Sequence, residues 1–450
     1  MAKPFDMPVT VIVGAQWGDE GKGKVTDFLA EDADVVARYQ GGNNAGHTVV
    51  ANGVEHKLHL LPSGSIHENV KNVIGNGVVV DPAVLLDELK KLHSKGIRPK
   101  LFVSDRAAVI LPIHKLLDGA YEDKTGGFGT TRRGIGPTYA DKIARTGVRV
   151  GDLLNAAALR ERLAATLPEK LALLQHRGGK VPGHDLAKLM ADPTPYVDEL
   201  TKELSGLGEA VAPMVTDTVA LLHESLEANE SIVLEGAQGT FLDIDHGTYP
   251  FVTSSSTTAG GACTGTGVPP TVVDSVYGIV KAYTTRVGSG PFVTELPHEH
   301  GPGKHLTEVG HEFGTTTGRR RRVGWLDLVL LKRAVQVNGM TSIALTKLDV
   351  LAGVGELQVC VAYEVDGSQT TRLPGNAATM ARANPVYEAM PGFEAINKAT
   401  VAKAAREGLA ALPAEARRYV EFIEDALDVP VELVGLGPGR EQTIDRRMLS

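Results

Sequence analysis

The residues VTVIV (9–13) lead without a break into GAQWGDEGKGK (14–24). A β-branched run of this kind reads as a buried strand. A glycine-rich turn between such a strand and a helix aims backbone N–H groups and the helix dipole at phosphate oxygens. The pairing constrains the chain to an α/β fold with its ligands at a strand's carboxyl end, and it points to phosphoryl chemistry. Lys22 and Lys24 supply counter-charge. The common phosphate loop, G-x-x-x-x-G-K-[ST], follows its lysine with a hydroxyl that holds Mg²⁺. Here Gly23 stands in that place and the loop is longer. Asp19 or Glu20 becomes the candidate metal ligand, and a carboxylate beside a transferring phosphoryl group can also act as a base.

Short apolar runs recur at 35–39, 73–74, 101–103, 232–234 and 343–345, each next to glycine or polar punctuation. Helical periodicity lies between several of them, as at 82–95, which Pro82 can open and Gly96 can close. The alternation predicts a large central, mostly parallel sheet with helical crossovers. From 153 to 229 the chain becomes helical and charged, an expected insertion. Although 450 residues would suggest about three domains, α/β enzymes often enlarge one sheet, and a single unit spanning 1–450 is expected, with 340–450 as its C-terminal part. Glycine- and hydroxyl-rich segments at 125–137, 236–267 and 301–324 read as long functional loops.

A net charge of −8 argues against general affinity for nucleic acid or membrane surfaces, so an anionic ligand must be held by local clusters. Two cysteines give neither a disulfide framework nor a metal spacing, which fits a reducing cytoplasm. No stretch approaches the roughly 18 apolar residues of a membrane span, and the first residues lack the apolar segment of an export signal.

QGGNNAGHT (40–48) directly follows the second apolar run, where a loop can share a crevice with the first. His47 could donate a proton or polarise an oxygen there while Asp19 does the opposite. TKLD (346–349) resembles a base-reading motif. One carboxylate can accept hydrogen bonds from both the ring N–H and the amino group of guanine. Adenine offers no such pair, so Asp349 would select GTP over ATP while the stem of Lys347 covers the base. TTTGRRRR (315–322) reads as an anion clamp in which one arginine serves structure alone. His298, Glu299, His300 and His305 invite a metal site, but with no third well-spaced carboxylate a solvated loop is the better reading.

Taken together, GAQWGDEGKGK, YQGGNNAGHT (39–48), GTTRRGIGPTYADKIAR (129–145), EGAQGTFLDIDHGTYPFVTSSSTT (235–258), EFGTTTGRRRR (312–322) and TKLDV (346–350) closely resemble the adenylosuccinate synthetase family. The likeness runs nearly end to end and in family order. It implies GTP-dependent ligation of IMP and L-aspartate to adenylosuccinate, GDP and phosphate through 6-phosphoryl-IMP, the first committed step from IMP to AMP. Asp19 would be the base and His47 the acid, with Lys22 and Gln238 completing the catalytic set. One Mg²⁺ per subunit would rest on Asp19 and the Gly46 carbonyl.

The resemblance assigns the GTP phosphates to Gly18, Asp19, Glu20, Gly21, Lys22, Gly23 and Lys24, with Gly46, His47 and Thr48 opposite and Arg321 nearby. Guanine would meet Lys347, Leu348 and Asp349, and the turn formed by Gly435, Leu436, Gly437 and Pro438. Relatives often carry serine where Gly435 stands, so only backbone contacts carry over there. IMP would meet Asn44, Ala45, Thr131, Gln238 and Thr253, and Arg145 would reach the neighbouring subunit's IMP site in a homodimer. Thr315, Thr316, Thr317, Gly318, Arg319, Arg320 and Arg321 would form the aspartate loop, with Arg319 also near IMP. Two readings compete. A regulatory GTP-binding switch leaves the arginine clamp and the 43–47 loop without a task, and an ATP-dependent ligase conflicts with Asp349.

Overall fold

All six apolar runs are strands of one sheet. The computed structural model describes residues 9–51, 53–125, 129–313, 318 and 320–448. In chain order the sheet comprises β1 (Val9–Gly14), β2 (Val35–Arg38), β3 (Lys71–Ile74), β4 (Lys100–Ser104), β5 (Val215–Thr216), β6 (Ile232–Glu235), β7 (Ser275–Lys281), β8 (Ser342–Thr346), β9 (Val431–Gly435) and β10 (Thr443–Asp445). Their order across the sheet is β10-β9-β8-β7-β1-β6-β2-β3-β4-β5. Only β10 runs antiparallel to its neighbour. The chain winds one way from β1 through β2 to β5 and the other way through β7 to β9, which opens a crevice around β1.

Burial on both faces explains why these runs are β-branched and nearly continuous. Val9, Val11 and Val13 of β1 belong to the largest apolar core, whereas Ile12 packs with Val25 and Ala30 of α1 (Lys22–Ala30) on the opposite face. The predicted helix at 82–95 is Pro82–Ser94, with Val84 N–H donating to the Asp81 side chain at 3.3 Å. Leu159, Leu163, Leu167, Leu171 and Leu174 form a fully buried stripe on the helix Ala156–His176 within a second core. Four helices lie between 156 and 227, and Val215–Thr216 leaves them to add the edge strand β5.

Two of the expected long loops contain helices. Segment 236–267 ends in Ala259–Thr266, and 301–324 begins with Gly301–Val309. Glycine in the first of these serves packing rather than looseness, because a Cβ on Gly265 would strike the carbonyl of Tyr39. Composition therefore mimicked a loop. Among the described residues no helix is long and apolar enough to cross a membrane.

Candidate functional site

Six adjacent strands, β9, β8, β7, β1, β6 and β2, point their carboxyl ends the same way. The segments 436–438, 347–349, 282–283, 15–21, 236–238 and 39–47 therefore leave one edge of the sheet side by side.

The turn from β1 into α1 takes left-handed backbone at Gly18 (φ 86°), Asp19 (φ 60°) and Gly21 (φ 99°). Asp19 adopts this costly conformation without glycine's freedom, and its carboxylate stays 31% exposed. Its Oδ2 accepts from Arg321 Nε at 2.7 Å. Glu20 is buried within the turn instead. Its Oε1 accepts from the N–H of Gln16 (3.1 Å) and of Gly18 (2.8 Å), and its Oε2 pairs with Lys22 Nζ at 2.5 Å. Of the two carboxylates, Asp19 is the one open to a ligand. The missing loop hydroxyl also has a steric cause. A Cβ at Gly23 would lie 3.0 Å from His47 Cβ, because α1 rests against the strand His47–Ala51.

Lys24 turns away from this loop. Its Nζ donates to the carbonyls of Gly437 (2.6 Å) and Gln442 (3.4 Å). Burial lowers its pKa to about 8, although Asp349 and Glu441 pull it upward. Thr346 Oγ1 donates to the Glu20 carbonyl at 2.5 Å, joining the phosphate turn to the base-reading loop. In that loop Lys347 is left-handed (φ 58°), and its Nζ donates to the Gly310 carbonyl at 2.5 Å and to Glu312 at 3.0 Å. Asp349 Oδ1 is buried without a hydrogen-bond partner, and burial raises the carboxyl's pKa. An orphaned acceptor of this kind costs on the order of 1–3 kcal/mol until a donor reaches it. A small cavity between α1 and the ends of β8 and β9 is lined by Lys24, Phe28, Thr346 and Gly435, among others. A Cβ on Gly435 would come within 3.2 Å of Lys24 Nζ, so a serine there fits only if the amine shifts.

His47 Nδ1 lies 2.6 Å from Glu235 Oε1. Glu235 ends β6, is fully buried, and also accepts from the Ser63 N–H at 2.8 Å and from the Ser63 hydroxyl. Burial pushes the His47 pKa below its ordinary value and outweighs the opposing pull of Glu235; Arg38 and Lys22 lower it further. For Glu235, burial favours the neutral form, but His47, Arg38 and Ser63 together hold its pKa below the ordinary value. An ionised carboxylate only accepts hydrogen bonds, so Nδ1 carries the proton and Nε2 is left for a ligand. Sequence reasoning found His47 and missed Glu235. The available signal was a charged residue closing an apolar strand just before Gly236.

On the same side, Asn44 Oδ1 accepts from Gly42 N–H and Gln238 Nε2, both at 3.2 Å. Gln238 is left-handed (φ 59°), and its Oε1 is buried without a partner. The Ala45 carbonyl lies 2.7 Å from His59 Nδ1, and Arg133 donates to the Asn43 carbonyl. Thr131 lies half-buried two residues before Arg133, and the Thr253 N–H donates to the Leu242 carbonyl at 2.8 Å. Arg145, by contrast, is exposed where it caps the far end of the helix Ile135–Ala144.

The arginine run divides. Arg322 makes a bidentate pair with Glu295 at 2.6 and 2.5 Å and serves structure. Arg321 points inward to Asp19 and Glu312, while Arg320 is exposed. Phe313 and Arg320 form an antiparallel bridge, with Gly318 exposed between them. Thr315, Thr316, Thr317 and Arg319 lie outside the described residues. His305 Nε2 lies 2.9 Å from the Val350 carbonyl, and His298 pairs with Glu299 at the surface.

Residues 11–444 match the profile of the family described as adenylosuccinate synthetase. An adenylosuccinate synthetase of Moorella thermoacetica is 51% identical over 447 residues, covering 97% of this chain and 99% of the relative. One of Trichormus variabilis is 48% identical over 441 residues, covering 97% and 94%. The fully ligated adenylosuccinate synthetase of Plasmodium falciparum superposes with a TM-score of 0.87 at 35% identity, covering 97% of this chain and 99% of that one.

Proposed function

The chain belongs to the adenylosuccinate synthetase family, and on that premise we propose that this ligase joins IMP to L-aspartate at the expense of GTP through 6-phosphoryl-IMP. The observation that carries the reading is the unbroken row of six strand ends, which brings the 347–349, 15–21 and 39–47 loops to one crevice.

Asp19 takes the ring N–H proton of hypoxanthine and drives charge onto O6. That oxygen attacks the γ-phosphorus of GTP, an O–P bond forms, the β–γ bridge breaks and GDP leaves. The neutral amine of aspartate then attacks C6, a C–N bond forms, phosphate departs as the C–O bond breaks, and the proton shed by the new nitrogen leaves with the phosphate. His47 is the acid on that oxygen. It acts once Nε2 holds a proton, and the neighbouring Glu235 charge stabilises the resulting imidazolium. Lys22 neutralises phosphate charge, while Asn44, Gln238, Thr131 and Thr253 hold IMP. The orphaned Asp349 Oδ1 supports guanine recognition, since the base supplies the missing donors.

The donor set fits Mg²⁺. Asp19 is a hard, partly exposed carboxylate on a phosphate turn and already carries a cation, Arg321. Asp19 and the Gly46 carbonyl would hold the ion, which when bound polarises phosphoryl oxygens. The active unit is read as a homodimer in which exposed Arg145 serves the neighbour's IMP site. Residues 1–450 form one catalytic unit, with 153–229 as its helical insertion and 340–450 as its base-binding part. Two free cysteines, Cys263 and Cys360, suit the cytoplasm.

Following purine absorbance with GTP, IMP and aspartate tests the reading, with turnover expected only when all three are present. GTP hydrolysis indifferent to IMP and aspartate would sink it in favour of a GTP-binding switch, and ATP serving equally well would remove the role given to Asp349.

A further inference from the structure

Glu312 is fully buried just before the arginine run, yet three cations converge on it. Its Oε1 lies 3.0 Å from both Lys281 Nζ and Lys347 Nζ and accepts from Tyr283 OH at 2.5 Å. Its Oε2 accepts from Arg321 NH1 at 2.8 Å, and Arg321 continues through Nε to Asp19. The Glu312 carbonyl also takes the Arg321 N–H at 2.9 Å, closing the neck of the segment that follows. One carboxylate thus joins the end of β7, the base-reading loop and the arginine segment. The three cations outweigh the burial that favours its neutral form and hold its carboxyl far below the usual range. Burial lowers Lys281 to about 8 even with Glu312 beside it. Without the Glu312 charge, three cations would face one another without the carboxylate they share, an arrangement that low-dielectric surroundings penalise heavily.

We infer that Glu312 is a positioning residue that anchors Lys347 and Arg321 together, so that recognition of the nucleotide and of aspartate depends on one buried charge. This rests on the function proposed above. Neutralising Glu312 removes the charge that both segments share and, among the described residues, leaves Lys347 only the Gly310 carbonyl and Arg321 only Asp19 as side-chain anchors. The Asn44, Gln238 and Glu235 cluster hangs from β2 and β6, on the other side of β1, and keeps its own contacts.

Steady-state kinetics on the full chain, varying GTP, IMP and aspartate in turn, tests this with Glu312→Gln, Glu312→Asp, Lys347→Met and the double variant Glu312→Gln/Lys347→Met. Glu312→Gln is expected to raise KM for GTP and for aspartate about tenfold each while leaving KM for IMP within about twofold, with Glu312→Asp restoring part of the loss. Lys347→Met should raise KM for GTP in the parent and add less in the Glu312→Gln background, because the charged partner it would lose is already gone and only the Gly310 carbonyl remains. A rise in all three KM values alike, a fall in kcat that only tracks the folded fraction, or full additivity of the two substitutions would overturn the inference. If Glu312→Gln fails to fold, the same split is read from Glu312→Asp. GDP affinity by calorimetry separates this inference from the function it rests on. Weaker GDP binding in the variant beside a parent that does not need IMP would sink the proposed function alone, whereas unchanged GDP affinity would sink the inference.

Discussion

Glu235 accepts from a histidine 188 residues away and from a serine 172 residues away. An amide in its place can present its NH₂ group to Nδ1 and favour the opposite tautomer, and it removes the charge that raises the His47 pKa. Glu235→Gln is therefore expected to lower that pKa further, since burial, Arg38 and Lys22 would then act on it without the opposing Glu235 charge, and to cut kcat by about 10² or more with KM values little changed. A pH–rate profile matching the parent, with kcat near normal, would exclude the positioning role. Asp19, His47 and Asp349 could be singled out from the sequence because each comes shortly after an apolar strand among polar residues, and the structure brings the three segments to one edge of the sheet. Glu235 and Glu312 were not singled out. A buried carboxylate depends on partners that only the fold brings near it, so the one local signal, a charge closing the apolar strand before Gly236, marks Glu235 without naming what it holds.

The same contrast holds for whole elements. The strands were legible because burial on both faces leaves an uninterrupted apolar run, but Ala259–Thr266 was read as loop because its glycines answer to a neighbouring backbone. Tertiary context likewise governs the helix Leu328–Asn338. Asp327 caps it, with Oδ1 accepting from the N–H of Val329 and of Leu330 at 3.1 Å each and Oδ2 accepting from Tyr363 OH at 2.5 Å. Burial pushes its carboxyl from 3.8 up to about 7. The folded chain therefore holds a proton through a pH range in which the unfolded chain has released it, and the stability this group contributes falls as pH rises from near 4 through 7. Asparagine keeps the cap and has no charge to bury. Asp327→Asn should gain stability relative to the parent as pH rises from about 5 to about 8, by on the order of 2 kcal/mol. Thermal unfolding at both pH values checks this, and a difference independent of pH would refute it.

At the scale of the molecule, the crevice draws on six strands and the chain contacts itself from residue 10 to residue 445 across one sheet. Arg145 is exposed at the end of the helix Ile135–Ala144, and its proposed service to a second copy can be tested. Neither Arg145→Leu nor Asp19→Asn is expected to turn over alone. Mixed as exchanging subunits, they should recover up to roughly a quarter of parental activity, because half the dimers would be hybrids with one intact site in two. No recovery despite demonstrated exchange would show that each subunit carries a complete site. The sheet also limits its own growth. Its outermost strands, β5 and β10, are two and three residues long. A foreign strand needs a longer row of unpaired backbone groups to find its register. The protein can therefore build a wide platform for its ligands without offering either rim as a template for fibre-like association at high cellular concentration.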